Sequence, residues 1–383
     1  MGAQKRLFAC ITVLCGGLCS AFALPEIQPV LTNAVLSGNQ FQFTLQGETN
    51  VSYILESSSD LRTWTPSVTN SESQTTRTII VPAASSQTFW RVRPIPSPLF
   101  EYAIVAQGTV NLGGAGRIDS FNSTNELEST GGQYDPAKAT DRAIVATTSR
   151  TPTAISVGNM SIYGSVGTGP GATVIVSSNG KVGSTAFNLN PANGGRIEPG
   201  HFRDDFRAVL PNPTLPTNFG PVSFVGAGTY PPIGGTNYKY AILTDGDYRM
   251  SSISIGSGEK MIINAKARLL VMGSTTVHST GYVLLAPDAS IEWYALGRVD
   301  IQGQGFINQG GYAINFSIIS LTSQPVSYGG QAKLIGTFYA PLSAVTLSGT
   351  TDAIGAVVCT NFTLTGTMGL HFDESLKSAG PFY

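Results

Sequence analysis

From residue 238 onward, short apolar runs recur at nearly even intervals, and no helix-length periodic segment breaks them. Their centres fall at 242, 253–255, 261–263, 269–271, 277, 282–285, 291–293 and 299–301, with Gly, Ser, Thr, Asn and Asp between them. A step of roughly eight residues is a short strand plus a corner, and three steps make a coil of about 24 residues. One such coil cannot bury its own apolar face, so neighbouring coils have to stack. The spacing therefore predicts a right-handed parallel β-helix, a β-solenoid, for the larger part of the chain. Residues 333–376 continue the pattern and end on His371-Phe372-Asp373-Glu374-Ser375-Leu376. Ala286-Pro-Asp-Ala-Ser-Ile291 returns as Ala340-Pro-Leu-Ser-Ala-Val345, which reads as an internal repeat.

Upstream, residues 143–183 show the same short runs, punctuated by Gly158, Gly164, Gly167, Gly169, Gly171 and Gly180. Between them and residue 238 the prolines 191, 199, 211, 213, 216, 221, 231 and 232 interrupt any regular coil. Residues 184–237 are expected to form a Pro-rich excursion packed on the side of the solenoid, with one short helix over 201–210.

The N-terminus reads as a secretory signal peptide over residues 1–23. Lys5 and Arg6 precede a short apolar run, and Ala21-Phe22-Ala23 is a cleavage site. Export to the periplasm, cell surface or medium is expected. Of the four cysteines, Cys10, Cys15 and Cys19 would leave with that segment. Cys359 then stands alone in a strand-like run, as a small buried hydrophobe. Residues 24–98 alternate with period two over 39–45, 51–56, 78–82 and 89–93, the pattern of half-buried strands. They predict a small β-sandwich domain, in which Asp60 makes a turn and Trp64 anchors the core. The Pro94 to Pro98 stretch separates it from the β-solenoid domain, 99–383. The fold class is all-β.

Charged residues make up only 12% of the chain and the formal net charge is −1. No basic patch suits nucleic acid, and no run after the signal segment is long enough for a membrane-spanning helix.

Two resemblances extend this reading. Tyr53-Ile-Leu-Glu-Ser-Ser-Ser-Asp-Leu-Arg-Thr-Trp64, followed by Phe89-Trp-Arg-Val92, resembles a small fibronectin- or immunoglobulin-like module of exported bacterial proteins. The larger domain resembles an uncharacterised family of exported bacterial β-solenoid domains. That likeness rests on Arg117-Ile-Asp-Ser-Phe-Asn-Ser123, Met160 through Ala172, Gly336-Thr-Phe-Tyr-Ala-Pro341 and Gly355 to Val358. It is completed by Leu370 to Leu376, similar to an F-H-Y-D-E-x-L ending in which Leu370 and Phe372 replace the two outer aromatics. The resemblance implies a fold and an exported location, and transfers no enzyme activity.

The candidate chemistry is sparse. His371 and Asp373 share one strand face and Glu374 takes the other. Together they are expected to form a structural cap at the open end of the solenoid, satisfying backbone groups there. A metal site built on His371, Asp373 and Asp119 is the rival reading. The oxygen-rich stretch holding Asp119, Glu126, Glu128, Asp135 and Asp141 raises calcium as a ligand, though its spacing fits no EF-hand. Asp245-Gly-Asp247 reads as a turn, and Gly167 to Gly171 as a corner lacking the Lys-Ser/Thr of a phosphate loop. The expected function is structural or adhesive at the cell surface, with extracellular polysaccharide or other surface proteins as partners. The alternative is a carbohydrate-active enzyme, a lyase or hydrolase, on a β-helix scaffold. A flat Thr-rich face through Thr346, Thr363 and Thr365 also suggests ice or mineral binding.

Overall fold

A computed structural model describes residues 29–37, 40–47, 53–70, 76–82, 88–94, 99–228 and 235–378. The expected signal peptide, residues 1–23, lies outside the described residues, as does most of the proline connector. Contacts divide the chain into two units, residues 1–97 and 98–383. The described structure is nearly all β.

In the first unit, strands Val30–Ser37, Gln40–Gln46 and Thr76–Pro82 form one antiparallel sheet. Thr65–Asn70, Tyr53–Ser58 and Phe89–Pro94 form the other. Alternation decides what is buried: Phe43, Leu45, Tyr53, Leu55, Ile79 and Val81 share one core drawn from both sheets. Asp60 makes the expected turn, its Oδ1 accepting from the backbone N–H groups of Arg62 and Thr63, both at 2.8 Å. Trp64 departs from expectation. It is half-buried outside that core, with the Arg91 guanidinium 4.3 Å over its ring. Arg91 in turn pairs with buried Glu56 at 2.6 Å. Trp90, itself half-buried, packs against that core instead, 5.9 Å from Phe43.

From residue 240 the first four circuits of the second unit each add one strand to each of three parallel ladders, and the last two add strands to ladders two and three alone. Ladder one is the four-stranded sheet Tyr240–Ile242, Lys260–Ile263, Tyr282–Leu285 and Gly305–Asn308. Ladder two runs Gly246–Met250, Lys266–Val271, Ser290–Ala295, Phe316–Ser320, Leu334–Ala340, Ala353–Cys359. Ladder three runs Ile253–Ile255, Thr275–Val277, Val299–Ile301, Val326–Tyr328, Val345–Gly349, Phe362–Gly366. Inward side chains stack in register down each ladder into one continuous apolar core. Strands buried on one face and pinned on the other by corners tolerate no register slip, because a one-residue shift would turn the core outward.

The stacking order is not the chain order. The first circuit of the unit lies against the last. Ile104–Ala106 pairs with Val357 to Cys359, Val110 to Leu112 with Phe362 to Leu364, and Ile118 to Phe121 with Leu370–Asp373. The long strands Val110–Phe121 and Ile155–Gly167 cross corners and pair at several levels, joining ladders two and three into one closed parallel barrel of many strands. Stacking then continues through Ala143–Thr147 and Ile155–Gly167 to Phe202–Arg203. The chain enters and leaves this unit in the middle of the stack, at a seam.

Residues 204–222 return the chain from one end of the stack to the other across the outer face of ladder two. The N–H of Phe206 donates to the carbonyl of Thr168, and Tyr339 Oη donates to the Pro211 carbonyl at 2.7 Å. Phe219 packs edge-on against Tyr294 at 6.2 Å, and the Gly220 N–H meets Asp247 Oδ2. Ser223–Phe224 then pairs beside Tyr248 and Arg249. This strap falls within the expected excursion, 184–237, but no helix spans 201–210: Phe202–Arg203 is strand and the following residues lack regular structure. With its backbone bonding outward to the sheet, that stretch has no use for a helix of its own. The helix found in the excursion is Thr185–Leu189, capped by Ser184.

The apparent repeat between Ala286 and Ala340 also dissolves. Ala286 to Ile291 turns from ladder one into ladder two, whereas Ala340 to Val345 turns from ladder two into ladder three. Both are Ala-Pro corners, at different corners of the circuit.

Candidate functional site

Parallel register sets Asp119 directly beside His371, on neighbouring strands of the seam. Ile118, Phe121, Leu370 and Phe372 belong to the apolar core. His371 and Asp119 are nevertheless buried, because the polar excursion of residues 122–142 covers them: the Tyr134 ring stacks on the imidazole at 3.7 Å and 16°.

His371 Nδ1 donates to Asp119 Oδ1 at 2.6 Å. The other oxygen, Oδ2, accepts from Tyr134 Oη at 2.7 Å and sits 2.6 Å from Arg117 Nε. Arg117 itself lies over the Tyr163 ring at 4.4 Å. On the far side of the imidazole, Nε2 faces Asp352 Oδ2 at 3.4 Å, an ion-pair approach too long for a good hydrogen bond. Asp352 also accepts from the Gly369 N–H at 3.0 Å.

Burial alone would lower the His371 pKa. The hydrogen bond to Asp119, the contact with Asp352 and the two carboxylate charges outweigh it and hold the pKa above its ordinary value. Asp352 is held down to about 2, chiefly by His371, against a smaller opposing effect of burial. Burial, then the charge of Asp119, pushes the Tyr134 phenol up. The arrangement is an imidazole held between two carboxyl groups that favour its charged form. Nδ1 is hydrogen-bonded and Nε2 faces a carboxylate at ion-pair range, an electrostatic tie across the seam.

The rest of the tag fastens the same joint. Asp373 Oδ1 accepts from the N–H groups of Ser123 and Ser375, both at 3.0 Å. Glu374 pairs with Arg142 at 2.8 Å and with Lys377 at 2.9 Å; Arg142 also bonds Glu128. The tag is therefore not at an open end. Leu370–Asp373 is paired on both sides, with Ala353 and Ile354 on one and Ile118 to Phe121 on the other. A free sheet edge is what the sequence reading required of a cap, and this strand has none.

Of the three metal candidates, the structure joins His371 to Asp119 and turns Asp373 to backbone N–H groups. The acidic residues of the covering excursion are dispersed. Asp135 accepts from Thr130 Oγ1 and the Ala137 N–H, Asp141 from the Thr185 N–H, and Glu126 from the Gly131 N–H. No group of three metal-ligating side chains occurs among the described residues. Asp245 accepts from the Lys266 N–H, and Asp247 forms a two-pronged pair with Arg268 at 2.6 and 2.7 Å. Cys359 is fully buried between Ala340 and Ala106, its thiol pushed up by burial.

Asp352 and Tyr134 escaped sequence reasoning. Neither carries a local signal, since their roles arise from pairing across the seam. A second feature was missed for the same reason. On ladder three the outward positions form one in-register column. It runs from Ser254 through Thr276, Asp300 and Ser327 to Thr346 and Thr363. It crosses the seam onto Asn111 and Ser156. Thr346 and Thr363, noted in the sequence, are neighbours in it, and Ser348 and Thr365 lie side by side next to them. Aligning the apolar runs at their true, unequal coil lengths would have revealed it.

The four segments that carry the solenoid-family likeness meet here. Arg117 to Phe121 lies between Leu370–Asp373 and Met160 to Ile162, and Gly336 to Ala340 lies beside Gly355 to Cys359. No helix among the described residues is long and apolar enough to cross a membrane. No curated protein and no solved structure matches the chain. Residues 235–379, which run from the far end of ladder one to the close of the seam, match a domain of unknown function (DUF7305).

Proposed function

We propose that this chain is an exported structural or adhesive protein whose second unit is a β-solenoid. Parallel crossovers are right-handed almost without exception, so three ladders visited in turn describe a right-handed coil. The observation that carries the reading is the unbroken in-register stack. Ladder two runs without a gap from Gly246–Met250 through the seam to Ala143–Thr147. Half-buried Asp247 is tied to Arg268, and buried Asp119 to His371 and Arg117. A stiff rod offering long, weakly polar faces suits multivalent contact with extracellular material. The signal-like N-terminus supports export. Fractionation of producing cells, followed by sedimentation of the purified chain with cell-wall and matrix material, tests this. Retention inside the cell, or no co-sedimentation with any such material, would overturn it.

A second reading, a carbohydrate-active enzyme, draws on one observation. Asp247 and Glu292 flank Arg268 on ladder two. Burial raises the Glu292 pKa, while Arg268 and the Gly220 N–H hold Asp247 low against burial. Carboxylates pushed apart in pKa are the usual acid/base pair of glycan hydrolysis. Release of reducing ends from acidic glycans, abolished by Glu292→Gln, would favour this reading over the first.

A further inference from the structure

His371 Nε2 is buried and has no hydrogen-bond partner among the described residues. A buried ring nitrogen left in that state needs an explanation, because unpaired polar atoms are costly away from water. It faces Asp352 Oδ2 at 3.4 Å. The His371 side chain is 2% exposed and that of Asp352 43%, so the pair has one end in the core and the other at the surface.

Both groups are aimed by neighbours that hold their other atoms. Nδ1 of the imidazole is fixed on Asp119 Oδ1 at 2.6 Å. When the ring is neutral, Nδ1 keeps the proton it donates and Nε2 presents a lone pair toward Asp352. Oδ1 of Asp352 is fixed by the Gly369 N–H at 3.0 Å, which leaves Oδ2 turned to the ring. A Cβ at position 369 would lie 2.9 Å from that Oδ1 and 3.3 Å from His371 Cε1, so glycine there lets the two side chains meet. An imidazole whose far nitrogen bonds a carboxylate is the usual arrangement of a metal-bound histidine. The spacing agrees. Two ligands about 2.0–2.1 Å from a tetrahedral zinc ion lie roughly 3.3–3.4 Å from each other. The gap of 3.4 Å is long for a hydrogen bond and fits a shared ion.

We propose that His371 Nε2 and Asp352 Oδ2 together bind a divalent transition-metal ion, with zinc as the fitting ion. Asp119 is then a positioning residue, not a ligand. One imidazole nitrogen and one carboxylate oxygen suit zinc, whereas calcium and magnesium take oxygen ligands. Water completes the coordination on the exposed side of Asp352. The ion replaces the proton on Nε2 and ties the turn before Ala353–Cys359 to the closing strand Leu370–Asp373. This goes beyond the adhesive reading and does not depend on it. His201 and Glu198 approach each other similarly, Nε2 to Oε2 at 3.3 Å. There the same oxygen already accepts from the Ser184 N–H, and both side chains are more than a quarter exposed. That pair lacks the free, aimed atoms of the first and serves as its control.

Calorimetric titration of the untagged, chelator-washed full chain with zinc chloride at pH 8 tests the assignment, since the ligand nitrogen has to be free of its proton. One zinc per chain is expected, with a thermal midpoint that rises and falls back on addition of EDTA. Asp352→Asn keeps an acceptor for the Gly369 N–H and should weaken zinc binding about tenfold or more. Asp119→Asn, which loosens the hold on Nδ1, should weaken it by about 10–100-fold. His201→Ala should bind as the parent does. Metal-free melts show which variants are folded, and His371→Gln replaces Asp352→Asn if the latter is not. Absence of zinc uptake overturns the proposal. So does undiminished uptake by the folded ligand variant, or uptake lost in His201→Ala instead.

Discussion

His371 and Asp119 are joined at 2.6 Å across 252 residues of sequence. Through this bond the last strand of the second unit is tied to its first circuit. Asp119 is fully buried and holds three partners at once. Removing one member of a buried charge pair typically costs about 3–5 kcal/mol, because the other charge is left uncompensated. Asp119→Ala should therefore destabilise more than Asp373→Ala, which forfeits bonds to two N–H groups, about 1–3 kcal/mol. Urea unfolding of both variants checks the order; equal midpoints would contradict it.

Stability should depend on pH through the same clamp. The raised His371 pKa means its contribution is full below the unfolded value, about 6.5, and is lost as pH rises through the folded value. Asp352 works in the opposite sense. Its folded pKa of about 2 makes its contribution full above the unfolded value, about 3.9, and lost as pH falls toward 2. The groups facing His371 are Asp119, Asp352, Tyr134 and, beyond Asp119, Arg117. Thermal midpoints should be highest between about pH 4 and 6.5 and fall past neutrality. His371→Gln should flatten the fall on the alkaline side, and a fall of unchanged steepness would contradict the assignment.

Gly355 stands at φ +138, and a Cβ there would collide with the Gly336 carbonyl oxygen of the strand below. Gly355→Ala should cost on the order of 3 kcal/mol or more. Gly258 also has positive φ, +73, but open space around it. Gly258→Ala should cost only about 1 kcal/mol. Comparable melting temperatures for the two variants would refute the close approach of these two adjacent strands.

The three ladders were legible in outline because their cause is local. Strand, corner, strand recurs in the order of the chain, and Gly and Asn mark the corners. Trp64 shows the limit of such reasoning: period-two alternation identifies a strand, but Trp90, not Trp64, is the one that packs against the core. The seam lay beyond reach for a different reason. Pairing Ile118 with Leu370 depends on which coil follows which in space, and nothing near either residue encodes it. Reading chain order as stacking order turned His371, Asp373 and Glu374 into an end cap. Their polarity was rightly noticed; the neighbour they serve is a strand and its covering loop, not open water.

Residues 235–378 produced alone should associate. Without residues 99–228, Ala353–Cys359, Phe362–Gly366 and Leu370–Asp373 lose the strands they pair with at 104–121, leaving open parallel edges over an apolar core. Size-exclusion chromatography should show large species that shrink when residues 99–228 are coexpressed. A monomeric fragment with a cooperative melt would mean that the matched domain needs no second half.

The strap has a further consequence, for how such a protein can change length. It is anchored at Phe206, Pro211 and Gly220, toward opposite ends of the same ladder. Each added coil lengthens the stack by about 4.8 Å, and an extended residue reaches at most about 3.6 Å. A chain gaining one coil has to gain between one and two strap residues, or it loses an anchor. The strap is thus a gauge for the stack, and circuit number and strap length should rise and fall together wherever this architecture is built longer or shorter.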